Sequence, residues 1–182
     1  MKVIETPLVD ASVITLDKYE DERGFFMESF NEQKFLKELG FYEFVQDNHS
    51  KSSKGVLRGL HYQLEKPQGK LMRCTQGAVY DVIVDLRKSS KSFGLWFNIT
   101  LDNPETIMWV PPGFAHGFYT LTDTAEVQYK TTDYYHPQSQ RTLLWNELDI
   151  IWPNVDCEDI DQPLLSEKDA QGKTFEECEK YE

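Results

Sequence analysis

Residues 78–86, AVYDVIVDL, put Tyr80, Val82, Val84 and Leu86 on one face and Val79, Asp81, Ile83 and Asp85 on the other. A period of two is the mark of a strand, whose side chains point alternately to opposite sides. Similar runs occur at 95–101 (LWFNITL), 106–110 (TIMWV), 114–121 (FAHGFYTL) and 125–131 (AEVQYKT). Turn signals separate them: Lys91-Ser92-Phe93-Gly94, Asp102-Asn103-Pro104, Pro111-Pro112-Gly113 and Thr122-Asp123-Thr124. Many short strands at close, regular spacing predict a sandwich or barrel, here a mainly β chain in a jelly-roll barrel.

Short helices interrupt the pattern. Ser29-Phe30-Asn31-Glu32 has the form of a capping box, Phe35, Leu36 and Leu39 make an apolar stripe, and Gly40 stands where a helix C-terminal glycine belongs. A second short helix is predicted at 166–170, SEKDA, with Ser166 as its cap. No internal repeat or linker-like shift divides the 182 residues, so residues 1–182 read as one domain. The acidic stretch from Asp156 to Glu182 reads as a solvated tail, clearest over about 170–182.

Composition narrows the function. Hydrophobic residues at 40% and charged residues at 27% are those of a globular chain, and no run reaches the length of a membrane span. With no signal-peptide pattern after Met1, a cytoplasmic location is expected. A formal net charge of -12 repels polyanions, which argues against nucleic acid as partner. Cys74, Cys157 and Cys178 are too few and too scattered for a disulfide framework or a zinc site. Cys74 lies in a strand-like run and reads as a small buried hydrophobe.

The candidates for chemistry are polar groups set in strand patterns. His61, in VLRGLHYQ (56–63), shares a face with Leu57, Gly59 and Gln63 on the alternation rule. A lone His on an apolar face is more often a hydrogen-bonded core residue than a catalyst. Tyr129 shares its face with Ala125, Val127 and Thr131, and a buried Tyr is likewise commonplace. Taken with an inward Asp81 and nearby Lys70, they form a set that is costly to bury unless its members pair or work. A His base and a Tyr acid on facing walls suit proton transfer at carbon next to a carbonyl. A cupin-type metal site needs two His one residue apart, but this stretch reads His61-Tyr62-Gln63, and His49, His116 and His136 show no ligand spacing. Arg23 and Arg58, flanked by glycine and large apolar residues, are settings for anion binding. Strict alternation puts Arg58 and His61 on opposite faces, and sharing one pocket requires a bulge or bend at Gly59.

DERGFFMESF (21–30), FVQDNHSKSSKGVLRGLHYQ (44–63), QGKLMRC (68–74), VYDVIVDLRKSS (79–90), WVPPGFAHGF (109–118) and YKTTDYY (129–135) resemble, in order, the motifs of dTDP-4-dehydrorhamnose 3,5-epimerases. LWN (144–146), IIWP (150–153) and LSEKDA (165–170) continue the match, leaving only the final dozen residues. The resemblance implies a cupin-type jelly roll, a homodimer that exchanges N-terminal strands, and no metal or organic cofactor. It implies a dTDP-sugar substrate, dTDP-4-dehydro-6-deoxy-D-glucose, and the L-lyxo product that becomes rhamnose. By position, His61 matches the general base, Asp169 the carboxylate that orients it, Tyr129 the general acid, and Lys70 the group that stabilises the enolate oxygen at C4. Arg23, Arg58 and His116 match contacts to the diphosphate and sugar, with Glu28, Gln46, Asp47, Asn48 and Lys168 alongside. Tyr135 falls where an aromatic ring stacks on thymine, and Gln140 stands near the nucleotide where related sequences often carry Glu.

Two other readings fit the scaffold. A sugar 3,4-ketoisomerase or single-centre epimerase keeps the His base, but a ketoisomerase needs no acid on the opposite face, so Tyr129 favours epimerisation. A non-catalytic ligand-binding barrel is disfavoured by the intact set of His61, Tyr129 and Asp169.

Overall fold

The period-two segments are strands in the computed structural model, which describes residues 1–40, 42–153 and 162–182. The N-terminal part carries β1 (Lys2–Glu5), β2 (Ser12–Thr15), the hairpin of β3 (Lys18–Asp21) and β4 (Gly24–Met27), and helix α1 (Glu32–Leu39). Next come β5 (Gln46–Ser53), β6 (Leu57–Gln63), β7 (Lys70–Gln76) and β8 (Val79–Asp85). These are followed by β9 (Trp96–Leu101), β10 (Thr106–Val110), β11 (Phe114–Thr120) and β12 (Thr124–Thr131). A short β13 (Gln140–Thr142) and helix α2 (Glu167–Ala170) complete the described elements.

Strands β5 to β12 form two antiparallel arrays, β5-β12-β7-β10 and β6-β11-β8-β9. The first strand pairs with the last and each inner pair nests inside, and the chain changes sheet at every connection except the β8–β9 hairpin. That nested order is a jelly roll. β2 and β1 extend the first array to six strands, and β13 extends the second to five.

Alternation along β8 fills two separate layers. Val79 and Ile83 point between the sheets, against Met72, Cys74, Met108, Val110, Ala125 and Val127. Val82 and Val84 point the other way, under Leu143, Ile150, Trp152 and Cys178. The outer face of the six-stranded sheet (Ile14, Leu71, Ile107 and Trp109) is closed by Phe35 of α1. Each large aliphatic or aromatic side chain so buried contributes about 1.5–3 kcal/mol.

Two local expectations change. Helix α1 is capped by Asn31, not Ser29: Asn31 is extended (φ -143°, ψ 109°) and its side chain accepts the Lys34 N–H. Glu32 therefore opens the first turn and cannot close a capping box on Ser29. Gly40 (φ 88°) ends the helix as expected, and Ser166 caps α2 through the Asp169 N–H.

The C-terminal stretch is not a solvated tail. Cys178 is buried, Phe175 and Tyr181 pack on the outer face of the five-stranded sheet, and Tyr181 forms a bridge with Arg87. Glu179 is held by Arg141 (2.9 Å) and Lys173 (3.1 Å), bonds that pull its carboxyl down to about 2. Net acidity concealed the aromatic and sulfur side chains that anchor the segment. Cys157 and the start of the acidic stretch lie outside the described residues.

Candidate active site

The site is organised by a break in the alternation of β6. Phe118 pairs with Arg58 and His116 with His61, so Gly59 and Leu60 together stand opposite Gly117. One extra residue on one strand is a β-bulge, and it reverses the facing of everything beyond it. Leu57, Leu60 and Tyr62 consequently share the outer layer, while Arg58 and His61 both turn to the other side, His61 lining a cavity and Arg58 remaining exposed beside Ser52. The shared face of His61 and Leu57 expected from strict alternation is thereby corrected. Glycine is required here: Gly59 has φ 122°, and a Cβ on it would lie 2.6 Å from Gly117 Cα and 2.7 Å from the His116 carbonyl oxygen.

His61, Lys70 and Tyr129 line one cavity, together with Gln63, Tyr135, Gln140 and the rings of Tyr62 and Tyr181. His61 Nε2 is hydrogen-bonded to the carboxylate of Asp169, a residue 3% exposed in the first turn of α2. Burial opposes ionisation of Asp169, but the bonds from His61, Ser166 and the Gly59 backbone prevail and hold its pKa below the usual carboxylate value. An ionised Asp169 fixes the proton of neutral His61 on Nε2 and leaves Nδ1 with a free lone pair. Asp169 and His61 are thus a positioned carboxylate–imidazole pair.

A second such pair is more deeply buried. His116 Nε2 lies 2.7 Å from Asp81 Oδ1, with the two residues 7% and 1% exposed. Burial pushes the His116 pKa below its ordinary value, against the attraction of Asp81. Beside it, Lys70 is 8% exposed and donates to the His61 carbonyl oxygen at 3.4 Å. Burial lowers the Lys70 pKa to about 8, and the negative charge of Asp81 limits the fall. Asp81 therefore acts on both neighbours; its inward placement near Lys70 was expected from the alternation, whereas its pairing with His116 was not. The available signal was an acid between Val79 and Ile83 on a face that Asp85 completes. Burial raises the Tyr129 pKa above the usual phenol value, with Arg58 pulling the other way, so the hydroxyl stays protonated near neutral pH.

The remaining candidates divide by position. Arg58 donates to Ser52 Oγ at 3.0 Å on the inner side. Gln46 links Asn48 (2.9 Å) to the backbone N–H of Tyr135 (3.1 Å), and the Tyr135 hydroxyl reaches Gln140 at 2.6 Å. Lys168, on α2, opens on a neighbouring groove that also includes Gln140. Three candidates stand apart from the cavity of this chain. Asp47 pairs with Lys130 at 2.8 Å, facing away from Asn48 and Tyr129 as alternation in paired strands requires. Glu28 is tied to Lys34 and Asn31 at the start of α1. Arg23 is 85% exposed at the β3–β4 turn and is held by Asp21. A larger concavity between Phe30, Arg73 and Lys130 takes in Asp47, Asn48 and Tyr129 but not His61, Lys70 or Asp169. Among the described residues, no three His, Cys, Asp or Glu side chains converge as a metal-ligand set. No described helix is long and apolar enough to cross a membrane.

Residues 5–177 match the family model for dTDP-4-dehydrorhamnose 3,5-epimerase. The dTDP-4-dehydrorhamnose 3,5-epimerase of Shigella flexneri is 48% identical over 186 residues, covering 100% of this chain and 99% of its own. That of Escherichia coli strain K12 is 49% identical, covering 97% and 96%. Among solved structures, a 3,5-epimerase from Legionella pneumophila in complex with dTDP-4-keto-L-rhamnose superposes with a TM-score of 0.92 at 43% identity, covering 98% and 94%.

The bulge makes a direct prediction. Gly59→Ala adds a Cβ at positive φ against backbone atoms that cannot withdraw, so stability should fall by more than about 3 kcal/mol. The denaturation midpoint checks this; a variant within about 0.5 kcal/mol of the parent would remove the close contact as the reason for glycine.

Proposed function

This chain belongs to the dTDP-4-dehydrorhamnose 3,5-epimerase family, and on that premise we propose that it inverts C3 and C5 of dTDP-4-dehydro-6-deoxy-D-glucose to give dTDP-4-dehydro-L-rhamnose. It is an isomerase acting on a carbohydrate. The observation that carries the mechanism is the meeting of His61, Lys70 and Tyr129 on one cavity, with Asp169 behind His61.

The chemistry follows from the substrate's C4 ketone, which acidifies the hydrogens on C3 and C5. His61 Nδ1 takes the proton from one face, and Asp169 stabilises the imidazolium that results. The electrons move onto the C4 oxygen, where the buried ammonium of Lys70 supplies positive charge in a medium of low dielectric. Tyr129, kept protonated by burial, returns a proton from the opposite face and the centre is inverted. His61 returns to its neutral form by releasing its proton to solvent, and the tyrosinate recovers one. Positioned proton transfer and oxyanion stabilisation suffice. Arg58, His116, Gln46 and Asn48 are assigned to the diphosphate and sugar, and Tyr135 with Gln140 to the base.

Arg23 and Glu28 fit the same reading in a homodimer. The β3–β4 hairpin exposes Tyr19, Phe25 and Phe26 at 66%, 56% and 71%, an apolar tip suited to insertion into a second copy. In that arrangement Arg23 reaches the partner's cavity and exchanges Asp21 for a ligand phosphate.

A proton NMR time course in heavy water tests the central claim. With the 4-ketosugar alone, deuterium should enter both C3 and C5 as L-sugar signals appear. Exchange at C3 alone would replace the reading with a single-centre epimerase or ketoisomerase. His61→Ala should lose exchange at both carbons by at least about a hundredfold, and near-normal activity would remove it as base. Tyr129→Phe should still exchange but fail to invert; full inversion would place the acid elsewhere.

Lys70 must be protonated to stabilise the oxyanion, so kcat should fall as pH rises through about 8. Lys70→Met should lower kcat strongly and abolish that basic limb. A limb left unchanged in the variant would assign it to another group. For the dimer, sedimentation should give twice the 21.3 kDa chain mass, and Arg23→Ala should raise KM; a monomer with full activity would refute the exchange.

A further inference from the structure

The family match ends at residue 177, yet the cavity has a wall beyond it. Tyr181 packs beside Tyr62 of the outer layer, ring centroids 6.2 Å apart, and both rings also line the cavity shared by His61, Lys70 and Tyr129. The Tyr181 hydroxyl donates to the carbonyl oxygen of Gln63, two residues along β6 from His61. We infer that Tyr181, delivered by a C-terminal strap, forms one wall of the reaction cavity and is a substrate-positioning residue; this rests on the epimerase reading above.

The strap is fastened along its length, which makes the placement of Tyr181 a built feature rather than a chance contact. It begins at Gly172, where a Cβ would come within 2.9 Å of the Leu144 backbone N, so the strap backbone lies directly against the chain that follows β13. Lys173 accepts from Leu144 N–H and donates to the Thr142 carbonyl, both at 2.9 Å. Phe175 packs with Phe93 at a ring distance of 5.7 Å, and Cys178 is buried. The Tyr62 hydroxyl donates to the Glu179 carbonyl at 2.8 Å. At the end, the Tyr181 N–H donates to Leu86 (3.1 Å) and the Lys88 N–H donates to Tyr181 (2.9 Å). The backbone is clamped on both sides of the ring.

The tie also meets the nucleotide side of the cavity. Gln63, whose carbonyl takes the Tyr181 hydroxyl, uses its side-chain oxygen to accept the His136 N–H at 2.9 Å. Its side-chain nitrogen donates to the carbonyl oxygens of Lys66 (2.8 Å) and Tyr134 (3.2 Å). Gln63 thus joins the strap to the segment that carries Tyr135. A ring at this position contributes apolar contact to a bound sugar and keeps water from one side of the enolate. Both effects need the ring more than the hydroxyl, because the backbone clamp holds residue 181 without it.

The test compares the wild type, Tyr181→Phe and Tyr181→Ala in the full-length protein, with the 4-ketosugar nucleotide as substrate and thermal melting recorded in parallel. Tyr181→Ala should raise KM about tenfold with kcat changed less than about threefold, a split between ground-state binding and chemistry. Tyr181→Phe should restore KM to within about threefold of wild type, because the ring is retained. The comparison temperature is one at which all three proteins are folded, so a purely structural role would lower the melting temperature and leave KM unchanged. Wild-type KM in the Ala variant overturns the inference, as does a Phe variant as impaired as Ala, which would transfer the effect to the hydroxyl tie. An inactive wild type would instead overturn the epimerase reading, and a normal wild type with unaffected variants would overturn only the role of Tyr181.

Discussion

Two strands approach so closely at Gly59 and Gly117 that neither position has room for a side chain. Through that contact β6 gains one residue on β11, and the gain turns His61 and Arg58 to the same side. Without it, alternation would send one of them into the outer apolar layer with Leu57 and Leu60, away from the partner it now has in Ser52 or Asp169. The rest of the site is arranged around the His61 that this bulge aims. Asp169 reaches it from α2, Lys70 reaches its carbonyl from β7, and Tyr129 enters the cavity from the opposite sheet.

The two His–Asp pairs illustrate how burial separates chemically identical groups. The His61 side chain is 29% exposed and opens on the cavity, whereas that of His116 is 7% exposed and enclosed with Asp81. Desolvation disfavours the charged form, so burial holds the enclosed imidazole of His116 below its ordinary pKa. Asp81 has a further effect on Lys70: an ammonium with so little solvent loses its proton readily, and the carboxylate beside it limits that loss. Removing either acid would leave a buried group without its electrostatic partner.

The same economy of space explains the outer layers. β8 carries apolar residues on both faces, with Asp81 and Asp85 as buried exceptions, because both are covered, one by the opposite sheet and the other by Leu143, Ile150, Trp152 and the C-terminal segment. A strand in a sheet with one wet face would have carried polar residues at Tyr80, Val82 and Val84. The C-terminal strap is therefore part of the layer structure, beside Leu143, Ile150 and Trp152.

Much of this was legible in the sequence because strand formation is governed by neighbours two residues apart. The period of AVYDVIVDL fixed which residues of β8 share a face, and the run 125–131 likewise put Tyr129 beside Ala125 and Val127. Local capping rules identified Ser166 and Gly40 for the same reason: both act within one helical turn. What lay beyond such rules depended on contacts between distant segments. His61 and Asp169 are 108 residues apart and meet only when α2 folds back on β6. The bulge exists because Gly117 faces Gly59 across strands, and the strap is ordered because Phe175, Cys178 and Tyr181 find apolar surface made by other elements. Composition counted the acids of that segment as solvated, but burial depends on what lies opposite a side chain, and only the tertiary structure supplies it.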